Sequence, residues 1–198
     1  MSTIVYLFSS NAVPPDGAET AELELLMGGM LPPFWLALFD AETCVVTPGT
    51  DDGFPLLVSD RMAALSRLQS REEHLLTVFG GQAAVILKEF SGKLATLQSP
   101  MLILESSQMG MLCDCSADQW REELRVMMSA FDSAPQERAS LPQRLLGGPA
   151  TSYNAGWRAY FRHFDSLKTK AKTGQMSECD LAGGSDDSDM PWELIEAP

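Results

Sequence analysis

The sequence predicts an α-rich single domain of the α+β or α/β class, with five to six helices around a small β-sheet. Three observations carry this. Two short apolar runs, residues 3–8 and 101–105, have strand length and composition. Four longer stretches, within 60–79, 82–97, 116–131 and 152–167, repeat apolar residues at helical spacing. Glycine and proline clusters punctuate the chain between them. At 198 residues with 45% hydrophobic composition, the chain is long and apolar enough to bury one sizeable core.

In chain order, Ile4-Val5-Tyr6-Leu7-Phe8 reads as a strand covered on both faces, because the apolar run is continuous. Pro14-Pro15-Asp16-Gly17 closes a turn. A helix is expected from about Glu19, with Leu23, Leu26 and Met27 on one face and Gly28-Gly29 at its end; its early acids suit the helix dipole. Pro32-Pro33 opens the apolar run 34–39, read as a short buried helix with a strand as the alternative. Asp51-Asp52-Gly53 is turn chemistry, and 54–58 is either a short strand or an extended connection.

From Asp60 to Phe79, Met62, Leu65, Leu68, Leu75, Leu76 and Phe79 roughly keep helical spacing between a Ser59 or Asp60 cap and Gly80-Gly81. The next helix, 82–97, carries Ile86, Leu87, Phe90 and Leu94 despite the cost of Gly92 inside it. Ser116-Ala117-Asp118-Gln119 is a capping-box pattern ahead of Trp120, Leu124, Met127, Met128 and Phe131. A loop is expected over 133–150. Thr151 or Ser152 then caps a helix with Tyr153, Trp157, Tyr160, Phe161, Phe164 and Leu167 on one face, the strongest amphipathic signal in the chain. The domain is expected to span 1–174. Residues 175–198 read as an acidic tail, flexible through 183–189, whose closing Trp192, Leu194 and Ile195 dock it.

Net charge is −13, unevenly placed: residues 1–60 hold nine acids and no base, and 175–198 hold seven acids and no base. Residues 152–174 reverse the balance, with Arg158, Arg162, Lys168, Lys170 and Lys172 against Asp165. An acidic surface repels phosphate backbones, which argues against nucleic acid as a partner. It speeds encounter with a basic protein. No run of about 18 apolar residues could span a membrane. The first residues lack the basic and apolar regions of a secretory signal, so a cytosolic chain is expected.

No cofactor, metal site or catalytic residue is expected. Cys113 and Cys115 are one residue apart, a poor match to zinc spacing, and Asp114 between them disfavours a thiolate. His163 has no nucleophile beside it in sequence, and it reads as a surface or packing residue. Asp186, Asp187 and Asp189 lack the ligand spacing of a calcium loop. The glycine pairs match no phosphate-binding pattern. The aromatic face of 153–167 reads as core, and the basic residues beside it as a possible match for the acidic tail within the chain.

Ser2-Thr3-Ile4-Val5-Tyr6-Leu7-Phe8-Ser9-Ser10, followed by Leu31-Pro32-Pro33-Phe34-Trp35-Leu36-Ala37-Leu38-Phe39, resembles small bacterial cytosolic proteins, some of them similar to toxin-immunity proteins. That resemblance covers about 40 N-terminal residues. It implies a domain that covers a toxin's active site, often through acidic side chains. The expected function is therefore a protein-binding inhibitor of a basic toxin domain, acting as monomer or homodimer. Asp16, Glu19, Glu22, Glu24, Asp51 and Asp52 are the candidate contact residues. An acidic adaptor or secretion chaperone is the alternative, and an enzyme with a site assembled from scattered residues is the third reading.

Overall fold

A computed structural model of the chain describes residues 4–12, 22–45, 53–133, 136–138 and 150–184. Its centre is a five-stranded antiparallel sheet in the order β2-β1-β5-β4-β3. The strands are β1 (Ile4–Ser10), β2 (Glu24–Gly28), β3 (Cys44–Val45), β4 (Leu56–Asp60) and β5 (Met101–Glu105). Val5 and Leu7 of β1 point inward and are fully buried, whereas Ile4, Tyr6 and Phe8 are half-buried. The continuous apolar run thus resolves into the ordinary two-residue period. The second face still has an apolar cluster of its own, in which Leu56, Val58 and Ile103 are buried and Phe8 and Met101 pack against them. The α+β class holds.

The helix expected from Glu19 is not formed over 24–28, where the chain is strand β2; residues 13–21 lie outside the described residues. Leu, Met and Glu favour a helix locally. Here Leu23 and Leu25 both turn inward at two-residue spacing, and β2 pairs with β1 from Ile4↔Gly28 to Phe8↔Glu24. Long-range pairing and burial override local propensity. The Ser9 hydroxyl accepts from the backbone N–H groups of Glu22 and Leu23, each at 3.0 Å, and guides the chain into the strand.

Nine α-helices are formed among the described residues: α1 (Pro33–Leu36), α2 (Arg61–Ser70), α3 (Glu72–Phe79), α4 (Gln82–Thr96), α5 (Ser107–Leu112), α6 (Ala117–Met128), α7 (Ala155–His163), α8 (Asp165–Thr173) and α9 (Glu178–Ala182). The count exceeds expectation because two of the four long predicted helices are broken and two short ones, α5 and α9, are added. The 60–79 stretch breaks at Arg71, which is buried. Its guanidinium donates to the carbonyls of Ala37 and Phe39 and pairs with Asp132 at 2.7 Å, so the break delivers a five-donor group to the backbone beyond α1. The 153–167 stretch breaks at Phe164 between α7 and α8, and its cap is Asn154 rather than Thr151 or Ser152. The capping box at Ser116 and Gln119 forms as expected. Gln136–Arg138 (β6) and Ala150–Ser152 (β7) pair as a small antiparallel ribbon where a loop was expected.

Residues 31–39 are all buried and form the hub of the core. Phe34 packs on Phe90, and the Trp35 indole N–H donates to the Ala182 carbonyl at 2.6 Å. That contact reaches into the segment expected to be a tail. Met176, Asp180, Leu181 and Ala182 are buried, and Gly184 exchanges backbone hydrogen bonds with Leu26 at the β2 edge. The folded body therefore continues through Gly184, past the boundary expected at 174. Gly183 explains how the approach is possible: its φ is +75°, and any Cβ there would drive into the Trp35 ring. The docking role expected of Trp192, Leu194 and Ile195 falls outside the described residues.

Candidate functional site

Of the six acids expected to meet a partner, Asp16, Glu19, Asp51 and Asp52 lie outside the described residues. Glu22 is engaged within the fold. Its Oε2 accepts from the backbone N–H of Gln98 at 2.7 Å, the N–H of Ser99 at 2.8 Å and the Ser99 hydroxyl at 2.9 Å. The Ser99 N–H hydrogen bond is the main reason its pKa lies below the ordinary carboxylate value. The carboxylate ties the entry to β2 onto the turn before β5. Glu24 sits half-buried on β2 opposite Phe8. The structure does not gather these two into an open acidic face.

The groups considered for chemistry are similarly occupied. Burial pushes the Cys113 and Cys115 thiols up, with the Glu123 carboxylate acting in the same direction on both. Both shifts act against the reactive thiolate form. His163 lies 3.2 Å from Glu123, which also takes a two-pronged contact from Arg162 at 2.6 and 2.8 Å, and its ring stands edge-on to Trp120. Among the described residues, no group of three or more His, Cys, Asp or Glu side chains could hold a metal ion, and no helix is long and apolar enough to cross a membrane. The aromatic face of α7 is core: Trp157 is fully buried, with ring centroids of Phe79, Phe131, Tyr160 and Phe161 at 5.0 to 5.8 Å. Lys170 and Asp180 form an ion pair at 2.6 Å, so the basic stretch meets the acidic segment within the chain at one point.

Among the described residues, an open groove of about 540 Å³ lies between α2 and α4. The Arg61 guanidinium donates to the carbonyls of Leu94 and Ala95, so α2 begins beside the end of α4 and the two helices run in opposite directions. Leu68 and Leu87, both buried, form the floor, with Leu65 half-buried beside them. Ala84, Gly92 and Ala95 line the α4 side, where a side chain added at Gly92 would meet nothing within 4 Å. Met62 and Val85, on the same two helices, are 61% and 62% exposed. Met62 was expected on the apolar core face. It is exposed instead, on a short helix in which only Ala64 and Leu68 are buried.

At one end, the groove passes Gln69 and Glu72 into a second hollow of about 600 Å³, which adds Glu73, Leu76 and Thr77. Glu72 and Glu73 occupy the first turn of α3, where the helix dipole favours acids whatever else they do. Both are exposed. None of these groove residues was singled out in the sequence as a contact site. The available signal was Gly92, a glycine inside a helix with no capping role. No protein-family model, curated protein or solved structure matches the chain.

Proposed function

We propose that this chain is a protein-binding inhibitor of the immunity kind, which neutralises a basic toxin domain in the bacterial cytosol by covering its surface. The observation that carries this reading is the open apolar groove between α2 and α4, which ends at acidic Glu72 and lies on two helices that also expose Met62 and Val85. An apolar floor with a charged rim is the usual anatomy of a protein contact. Each large side chain seated on such a floor contributes about 1.5–3 kcal/mol. The net charge of −13 contributes mainly to the rate and selectivity of encounter. Neutralisation follows by occlusion, with no chemical step asked of the inhibitor.

The test is capture of the tagged protein from its host at low salt, followed by co-expression of the captured partner with and without this chain. The reading expects one stoichiometric basic partner whose toxicity this chain relieves. Capture of no stoichiometric partner, or of one whose toxicity is unchanged, overturns it.

A further inference from the structure

We infer that the occupant of the α2–α4 groove is a basic amphipathic helix of the partner, held by an apolar stripe on the groove floor and by cations beside Glu72 and Glu73. This rests on the protein-binding reading above and adds the place and the chemistry of contact. Shape supports a helix. From Ala84 to Ala95 the α4 wall runs about 16 Å, three helical turns. That length matches anchors at i, i+3 or i+4, and i+7 on a docked helix, which span about 10 Å. The apolar floor of Leu65, Leu68 and Leu87 lies along it, and among the described residues nothing comes within 4 Å of a side chain added at Gly92.

Charge supports a basic one. Neither the Glu72 nor the Glu73 carboxylate has an ion-pair partner among the described residues, and both face the hollow that continues the groove. Lys88 lines the α4 wall, and its aliphatic stem can lie along apolar surface with the ammonium in water. The two acids outnumber it, and the long-range field of an acidic chain adds to them. By contrast, the acidic residues Glu22 and Asp180 are bonded within the fold and are not offered to a partner.

The probe is an 18-residue peptide with leucines at i, i+3, i+7 and i+10 and lysines on the flanks, compared with a twin bearing glutamates in place of lysines. Binding to the full chain is read by fluorescence anisotropy at low salt. The lysine form is expected to bind about tenfold tighter than the glutamate form, and Glu72→Gln with Glu73→Gln should remove most of that difference. Gly92→Arg should weaken both peptides by more than about tenfold. Its melting temperature should stay level or rise, because arginine is the better helix former, so lost binding cannot be ascribed to lost fold. Equal binding to wild type and Gly92→Arg overturns the inference, as does indifference to peptide charge. So does a wild-type dimer that Gly92→Arg converts to monomer, which would make the occupant a second copy. So does binding seen only after removal of residues 185–198, which would make it the chain's own C-terminal segment. The two proposals separate in the capture experiment: a partner held equally by wild type and Gly92→Arg sinks the groove assignment and leaves the protein-binding function standing.

Discussion

The α7 face and the α2–α4 groove begin from the same kind of sequence, an apolar stripe at helical spacing, and end in opposite states. On α7 the stripe is sealed. Trp157 sits among four rings, and Gly156 lets the helix come so close to Ala130 that any Cβ would strike its backbone. Between α2 and α4 the stripe is half covered, Gly92 has empty space before it, and Met62 and Val85 stand in solvent. A strong apolar signal therefore marks what the chain can bury by itself. The weaker stripe, interrupted by a glycine, marks what it leaves for something else.

The contrast is broken most directly at its sealed end. Trp157→Ala should cost about 3–5 kcal/mol, read by chemical denaturation, because the surrounding rings cannot collapse into so large a void. Val85→Ala on the open helix should stay within about 0.5 kcal/mol of wild type. If the two substitutions cost the same, the distinction between core and groove is lost.

A finer division runs within the sealed region. The Trp35 indole N–H donates to Ala182, whereas the Trp157 indole N–H is buried without a hydrogen-bond partner among the described residues. Trp35→Phe strips the Ala182 carbonyl of its donor and should cost about 1–3 kcal/mol beyond the lost packing. Trp157→Phe removes an unsatisfied donor and should be the milder change. Thermal melts of the two variants side by side decide the order.

These particulars show why part of the molecule was legible in the sequence. The strands that form at Ile4–Ser10 and Met101–Glu105, the capping box at Ser116 and the α7 aromatic face were readable because local composition and tertiary structure agree there. β2 was misread because its helix-favouring residues are held extended by pairing with β1 and by the Gly184 bridge, whose partner lies far along the chain. The break at Arg71 is invisible locally, since it exists to place a guanidinium on carbonyls at 37 and 39. The acidic segment looked like a tail because composition does not reveal that Gly183 fits against Trp35. The groove left the faintest trace, because a site defined by empty space requires the neighbouring helix to be in position first.

Carboxylates show the same division into engaged and open groups, and pH sharpens it. Glu22 has a lowered pKa through the Ser99 and Gln98 hydrogen bonds. For Asp180, burial pushes the pKa up, but hydrogen bonds from Lys170 and Ser177 outweigh it and the net shift is downward. A folded-state pKa below the unfolded value means the contribution is present above about pH 4 and is lost as pH falls through the folded pKa. Stability should therefore decline on the acid side, and Glu22→Gln should flatten that decline while lowering stability at neutral pH. Urea titrations between pH 2 and pH 7 on wild type and Glu22→Gln test this. An unchanged slope in Glu22→Gln would remove Glu22 from the engaged class.

The smallest effect is the most discriminating. Gly92 has no left-handed backbone and no neighbour within 4 Å of an added Cβ, so alanine meets neither strain nor collision. Gly92→Ala should raise stability by up to about 1 kcal/mol, because alanine loses less backbone freedom on folding than glycine does in a helix interior. A chain selected only for its own stability has no use for glycine at this position. If Gly92→Ala is stabilising and leaves partner capture intact while Gly92→Arg abolishes it, the glycine serves an approach from outside. If Gly92→Ala destabilises the fold, the glycine answers an internal demand, and the open side of the comparison closes.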